Sequence, residues 1–199
     1  MQSTANKIEN EIKRRRRGKI YFADDFSGYG SSEAIKKALM RFEKSGLLIR
    51  LAHGIYLYPI IDKKLGLGVL YPSVENIAKE IARRDKARIV PTGVYALNAL
   101  GLSTQVPTNI VFHTDGAPRK IKIYNQQIVF KHVVPKNLAY KSDILMLVVS
   151  ALKEIGEESV NENDMEIIRK ALAHETKEKI IADIILAPVW IRKKIQQII

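Results

Sequence analysis

Apolar residues recur along the first 58 positions in two different spacings, and the changes between them mark the elements. Ile8 and Ile12 lie four apart, which predicts a helix over 4–17 with Ser3 or Thr4 as its cap and Gly18 as its end. KIYF (19–22) reads as a short extended segment and ADDF (23–26) as one helical turn. SGYG (27–30) reads as a turn, because of its two glycines. Ser31 or Ser32 then caps a second helix that runs to about Ser45, and Gly46 stands where a left-handed residue closes a helix. Leu47–Arg50 and Ile55–Tyr58 read as two strands around AHG. In the second of them Ile55 and Leu57 alternate with Tyr56 and Tyr58, as a half-buried strand does.

The pattern then changes. From near Pro72, Ser73 with Asn76 gives a cap signal, and Ile77, Ala78, Ile81 and Ala82 form an apolar helical stripe. A strand-like ARIV follows, and Thr92 is expected to cap GVYALNAL, ending at Gly101. Three strands come next, NIVFH, RKIKIY and QIVFKHVV, with TDGAP and NQ as the turns between them. The last third is helical. Ser142 caps ILMLVVSALKEI, Gly156 stops it, helices follow around 162–173 and 175–186, and Pro188 opens a last one. The class is therefore α+β, in two domains over 1–60 and 70–199. The second holds a mixed α/β middle region with a small antiparallel sheet and a helical C-terminal part.

On a wheel of 100° per residue, Ile35, Ala38, Leu39 and Phe42 share one face of the helix over 31–45. Glu33, Lys36, Lys37, Met40 and Lys44 share the other, with Arg41 at its flank. A cationic face of this kind is also what an ordinary solvated helix presents. The order of elements distinguishes the two cases. Helix, short strand, short helix, glycine turn, basic helix and two-stranded hairpin is the winged-helix succession, with the hairpin as wing. A helix fits the DNA major groove and reads bases mostly through its N-terminal half, so Ser32, Glu33, Lys36 and Lys37 are the base-facing candidates. Arg41 and Lys44 are the phosphate-facing ones. Arg50 and His53 stand at or near the wing tip. Arg14, Arg15, Arg16 and Arg17 are the densest run of charge, expected at a helix end where they either complement the helix dipole or grip phosphate.

Charge agrees with this placement. The formal net charge is +12. Residues 1–58 hold 12 Lys/Arg against 6 Asp/Glu and 59–140 hold 12 against 5, whereas 141–199 hold 9 against 10. Each phosphate contact of a basic surface releases condensed counterions, so the first two thirds of the chain suit a polyanion. Apolar residues make up 46%, enough for a packed core. No apolar run has the length that a bilayer crossing needs, and the N-terminus lacks the apolar stretch of a secretion signal. A cytoplasmic protein with no membrane partner is expected. The absence of cysteine excludes disulfides, thiolate zinc sites and a cysteine nucleophile.

Little points to catalysis. His53, His113, His132 and His174 are not at metal-ligand spacing to one another, and no nucleotide-binding or nucleophile-elbow motif is present. Asp115 is followed by a strand with Gln127 and Lys131 at the wrong spacing for a nuclease and no second acid. The expectation is no enzyme, no metal and no cofactor. The alternative class is a nucleic-acid-processing enzyme or RNA-binding factor that uses the winged helix only for docking.

DDF (24–26), ALMRFEKSGLLIRL (38–51) and GIYLYP (54–59) together resemble the N-terminal winged helix of the AbiEi-like antitoxins of type IV toxin–antitoxin and abortive-infection systems. PTGVYALNALGLSTQVPT (91–108) is similar to the block that follows it in that family. The resemblance covers about residues 1–135 well and the rest more loosely. It implies an antitoxin that represses its own promoter and counteracts a nucleotidyltransferase-like toxin, directly or indirectly. It maps DNA contact onto the helix 31–45 and the wing 50–56, with double-stranded operator DNA as the partner.

Overall fold

Ser3 begins the first helix. Its Oγ accepts a hydrogen bond from the Asn6 N–H at 3.2 Å, and α1 spans Thr4–Arg14. The computed structural model describes residues 2–199. It divides into two compact units, the first ending at Glu80 and the second being Ile81–Ile199.

In the first unit α1 is followed by β1 (Ile20–Phe22), a 3₁₀ helix (Ala23–Tyr29), α2 (Ser32–Lys44), β2 (Ile49–Ala52) and β3 (Ile55–Leu57). The strands form one antiparallel sheet in the order β1-β3-β2, which is winged-helix topology. Ile8 and Ile12 of α1, Phe26 of the 3₁₀ helix, and Ile35, Ala38, Leu39 and Phe42 of α2 share one core with Tyr21, Leu48, Tyr56 and Tyr58. Burial of these side chains is the main source of stability, at about 1.5–3 kcal/mol for each large one. The Tyr21 ring stacks on Phe26 at 5.5 Å, and burial of its hydroxyl pushes its pKa up to about 12.

Three boundaries differ from expectation. α1 stops at Arg14 instead of reaching residue 17, because Arg15 turns extended (φ −93°, ψ 162°). Gly18 is not its cap. Gly18 has φ +89°, donates its N–H to the Tyr58 carbonyl at 2.6 Å, and would bring a Cβ to 2.9 Å from Ile60 Cδ1. The helical turn at Ala23 continues through the expected turn as far as Tyr29, and only Gly30 breaks it. After the wing comes a hairpin that the alternation did not reveal, β4 (Ile60–Asp62) with β5 (Gly68–Leu70). Ile61, Leu65 and Leu67 in it are exposed.

The helix α3 (Val74–Arg84) carries the division between the units and buries the expected stripe of Ile77, Ala78, Ile81 and Ala82, and Val74 with it. The second unit then runs β6 (Ile89–Pro91), α4 (Val94–Ala99), β7 (Asn109–Thr114), β8 (Arg119–Ile123) and β9 (Gln126–His132). A short 3₁₀ segment (Pro135–Leu138) leads to α5 (Asp143–Ile155), α6 (Glu162–Leu172), α7 (Lys177–Ile184) and α8 (Val189–Gln196). Thr92 does not cap α4. Its N–H donates to the Val111 carbonyl at 2.9 Å and prolongs the sheet, and Gly93, at φ +63° and ψ −149°, makes the corner instead.

The α+β class holds, and the sheet of the second unit is mixed. Its order is β6-β7-β9-β8, with β6/β7 and β8/β9 antiparallel and β7/β9 parallel. TDGAP is therefore not a tight hairpin turn. Gly116 donates its N–H to Thr114 Oγ1 at 3.0 Å, and its carbonyl lies 3.0 Å from His132 Nδ1, so the segment carries the chain past the end of β9. The C-terminal helices form a second core of Leu145, Val148, Val149, Leu152, Ile168, Leu172, Ile180, Ile184, Ile191 and Ile195, with Trp190 and Ile198 packed against it.

One buried carboxylate joins these helices. Asp183 of α7 is 4% exposed and accepts N–H bonds from Lys141 at 2.5 Å and Ser142 at 2.7 Å, where α5 begins. Asp183→Ala strands both donors and is expected to cost roughly 2–5 kcal/mol, with Asp183→Asn costing less because one acceptor oxygen remains. Trp190, the single tryptophan, reports on this unit alone, so urea unfolding followed by its fluorescence measures the loss. Equal midpoints for wild type and Asp183→Ala would refute the assignment.

Candidate nucleic-acid interface

Ser31 caps α2 by accepting from the Ala34 N–H at 3.3 Å, and Gly46 (φ +74°) leads out of it. The buried face fixes how the helix is rolled. Ser32, Glu33, Lys36, Lys37, Met40, Arg41 and Lys44 are all left exposed. The wing turns at His53–Gly54, and the Gly54 carbonyl accepts from the Ala23 N–H at 3.0 Å, which ties the wing tip to the start of the 3₁₀ helix.

Between α2, the 3₁₀ helix and the wing lies an open groove of about 730 Å³. Ser32, Lys36 and Lys44 from the helix and Arg50 and His53 from the wing line it. Its apolar lining includes Ile35, Leu39, Met40 and Tyr56. Arg50 stands opposite Tyr56 in the ladder, its Nη2 lies 3.2 Å from His53 Nδ1, and its Nε–H reaches the Ala52 carbonyl at 3.4 Å. Burial raises the Tyr56 pKa, with the Arg50 charge acting against it, so the phenol is neutral. Asp24 and Glu43 also line the groove, which therefore has a defined polarity and is not a uniform cationic trough.

The structure thus gathers five of the expected residues: Ser32, Lys36, Lys44, Arg50 and His53. Glu33 and Lys37 pair with each other at 2.7 Å on the exposed helix surface and do not line the groove. Such a pair contributes little to stability, and it cancels its own charge. Arg41 is exposed outside the groove lining.

The arginine run is divided among different tasks. Arg14 and Arg15 both hold Glu11, at 2.6 and 3.0 Å, and the Arg15 hydrogen bond keeps the Glu11 carboxyl below the usual carboxylate range. Arg17 donates to the Pro59 carbonyl at 3.0 Å and lies 4.7 Å above the Tyr58 ring. Arg16 is exposed and has no partner among the described residues. The picture of four arginines around one helix end is therefore replaced by three anchored side chains and one free.

Met40, 46% exposed, and Tyr56 were not among the candidates. Met40 falls on the cationic face of the wheel, and that was its signal. Tyr56 gave none, because only the ladder register places it beside Arg50.

The second unit offers less to a polyanion. Arg119 pairs with Asp85 and lies 5.3 Å over the Phe130 ring, while Lys120, Lys122 and Lys131 are exposed. The Asp115 carboxylate accepts the Arg88 N–H at 2.7 Å. Among the described residues no group of three His, Asp or Glu side chains is placed to hold a metal ion, and no helix is long and apolar enough to cross a membrane.

Fold and groove together define an α+β protein with an N-terminal winged helix whose α2–wing face is concave. The chain belongs to DUF6088, a family of unknown function, which matches residues 7–180. Among solved structures it is similar to the RV2827C protein from Mycobacterium tuberculosis, at 13% identity and a TM-score of 0.47, over 98% of this chain and 75% of that one. A comparison with curated proteins gives no match.

The arginine assignments separate stability from binding. Arg17→Ala removes a hydrogen bond and a cation–π contact, and is expected to cost about 1–2 kcal/mol in the first unit, whereas Arg16→Ala costs nothing measurable. Amide hydrogen exchange at Gly18 and Tyr58, which bridge the same joint, reads the difference. Unchanged protection in Arg17→Ala would remove its anchoring role.

Proposed function

We propose that this protein is a DNA-binding transcriptional regulator that acts on its own promoter, as the antitoxin of a type IV toxin–antitoxin or abortive-infection system. The α2–wing groove carries the DNA-binding part. With α2 in the major groove, one sugar-phosphate strand crosses between helix and wing. Lys36, Lys44 and Arg50 meet its phosphates, and the half-exposed Met40 meets its sugars. Asp24 and Glu43 repel phosphate at their positions, which favours one register over sliding. The antitoxin part is supported by the resemblance of 24–59 and 91–108 to the AbiEi-like antitoxins. Its partners are then operator DNA and a nucleotidyltransferase-like toxin, counteracted directly or indirectly. Its place of action is the cytoplasm.

The full-length chain is titrated with its own upstream DNA and an unrelated duplex at two salt concentrations. The upstream DNA is expected to bind more tightly, with the preference kept at higher salt. Lys36→Ala and Arg50→Ala each lower the slope of log affinity against log salt by about one, whereas Lys37→Ala, which removes an ammonium already engaged by Glu33, lowers it less. Wild-type affinity and slope in Lys36→Ala/Arg50→Ala would sink the groove as the DNA site. Failure of the chain to rescue growth when co-expressed with a nucleotidyltransferase-like toxin, with DNA binding intact, would remove the antitoxin role alone.

A further inference from the structure

A second cavity lies wholly inside the second unit, between β6, β7, the segment Leu138–Tyr140 and α5, with a volume of about 260 Å³. Its lining is graded. Val90, Leu138 and Val149 are each 2% exposed and form the apolar end. Thr92, His113, Tyr140 and Ser150 are half-buried around the middle. Lys153 and Glu154, successive on α5, are exposed at the rim. The corner at Gly93 lies beside the Glu154 carboxylate, one oxygen of which is 3.7 Å from where a Cβ would stand, an ordinary contact distance.

No side-chain hydrogen bond or ion pair joins any of these six polar residues to another described residue. Their polar atoms are not sealed from solvent, so all six are open to a ligand that enters the cavity. The charges are balanced, with one cation and one anion at the rim. Burial, then the Lys131 and Lys153 charges, hold the His113 imidazole below its usual range, so it adds no third charge at neutral pH.

A ligand that answers this lining has both charges at one end and an apolar body at the other. It is also small, since sites for drug-sized molecules begin near ~300 Å³. We propose that this cavity binds a free aliphatic α-amino acid, with its carboxylate at Lys153, its ammonium at Glu154, and its side chain against Val90, Leu138 and Val149. The hydroxyls of Thr92, Tyr140 and Ser150 fill the remaining hydrogen-bonding positions of the head group. The inference does not rest on DNA binding.

Calorimetric titration of the full-length protein tests it with L-leucine, glycine, N-acetyl-leucine and isoamylamine. L-Leucine is expected to bind. Glycine lacks the apolar body, and the other two each lack one charge, so all three bind at least about tenfold more weakly. Glu154→Gln weakens L-leucine by at least about tenfold and leaves N-acetyl-leucine unchanged, and Lys153→Met weakens L-leucine equally and leaves isoamylamine unchanged. Both positions are exposed, and Trp190 fluorescence verifies that the variants are folded. Three results would overturn the proposal: no heat with millimolar L-leucine, N-acetyl-leucine binding as tightly as L-leucine, or full L-leucine affinity in both variants. Adenine binding in place of L-leucine would also overturn it.

Discussion

The groove exists because β3 sits between β1 and β2. In that central position it pairs with the strand that leaves α1 and with the strand that leaves α2, at Ile20↔Leu57 and Ile49↔Leu57. Helix positions alone would leave the wing free to swing. The ladder, extended by the Tyr58–Lys19 and Gly18–Tyr58 bonds, holds its root, and the Ala23–Gly54 bond holds its tip. Because backbone bonds on a short sheet tolerate little displacement, Arg50 and His53 are delivered opposite Lys36 and Lys44 before any ligand arrives. Preorganisation of this kind lowers the entropy that binding would otherwise have to overcome.

Much of the first unit was legible from sequence, because its elements announce themselves locally. Ser3 and Ser31 cap helices that bury Ile8 and Ile12, or Ile35, Leu39 and Phe42, and spacing alone shows these faces. What spacing does not carry is pairing over distance. Arg17 anchors on Pro59, and no pattern within 14–17 shows that. The hairpin Ile60–Leu70 escaped because its strands are three residues each and break the alternation with adjacent isoleucines. In the second unit, three strands in succession suggest two hairpins. The parallel β7/β9 pairing depends on how the Asp115–Gly116 corner is tied to Arg88 and His132, which are remote in sequence.

The candidate site was half visible for the same reason. A helical wheel sorts residues by face but not by partner, so Lys36 and Lys37 looked equivalent. Only the structure separates them: Lys36 faces the groove while Lys37 is engaged by Glu33. The two cavities also differ in kind. The groove of the first unit is open and spans an extended surface, which suits a polymer. The cavity of the second unit is small and graded from apolar to charged, which suits a single small molecule.

The hairpin at 60–70 has a colloidal consequence. Among the described residues its two strands pair only with each other, so both outer edges present backbone groups outside any ladder, and Leu65 and Leu67 stand exposed near its loop. Lys63 and Lys64 sit in that loop, and lysine near an open edge is a brake on edge-to-edge addition of strands. Their repulsion acts only over the screening length of the solution, about 10 Å at 0.1 M salt and about 3 Å at 1 M. Concentrated salt therefore releases that brake, and dilute buffer keeps neighbouring chains apart.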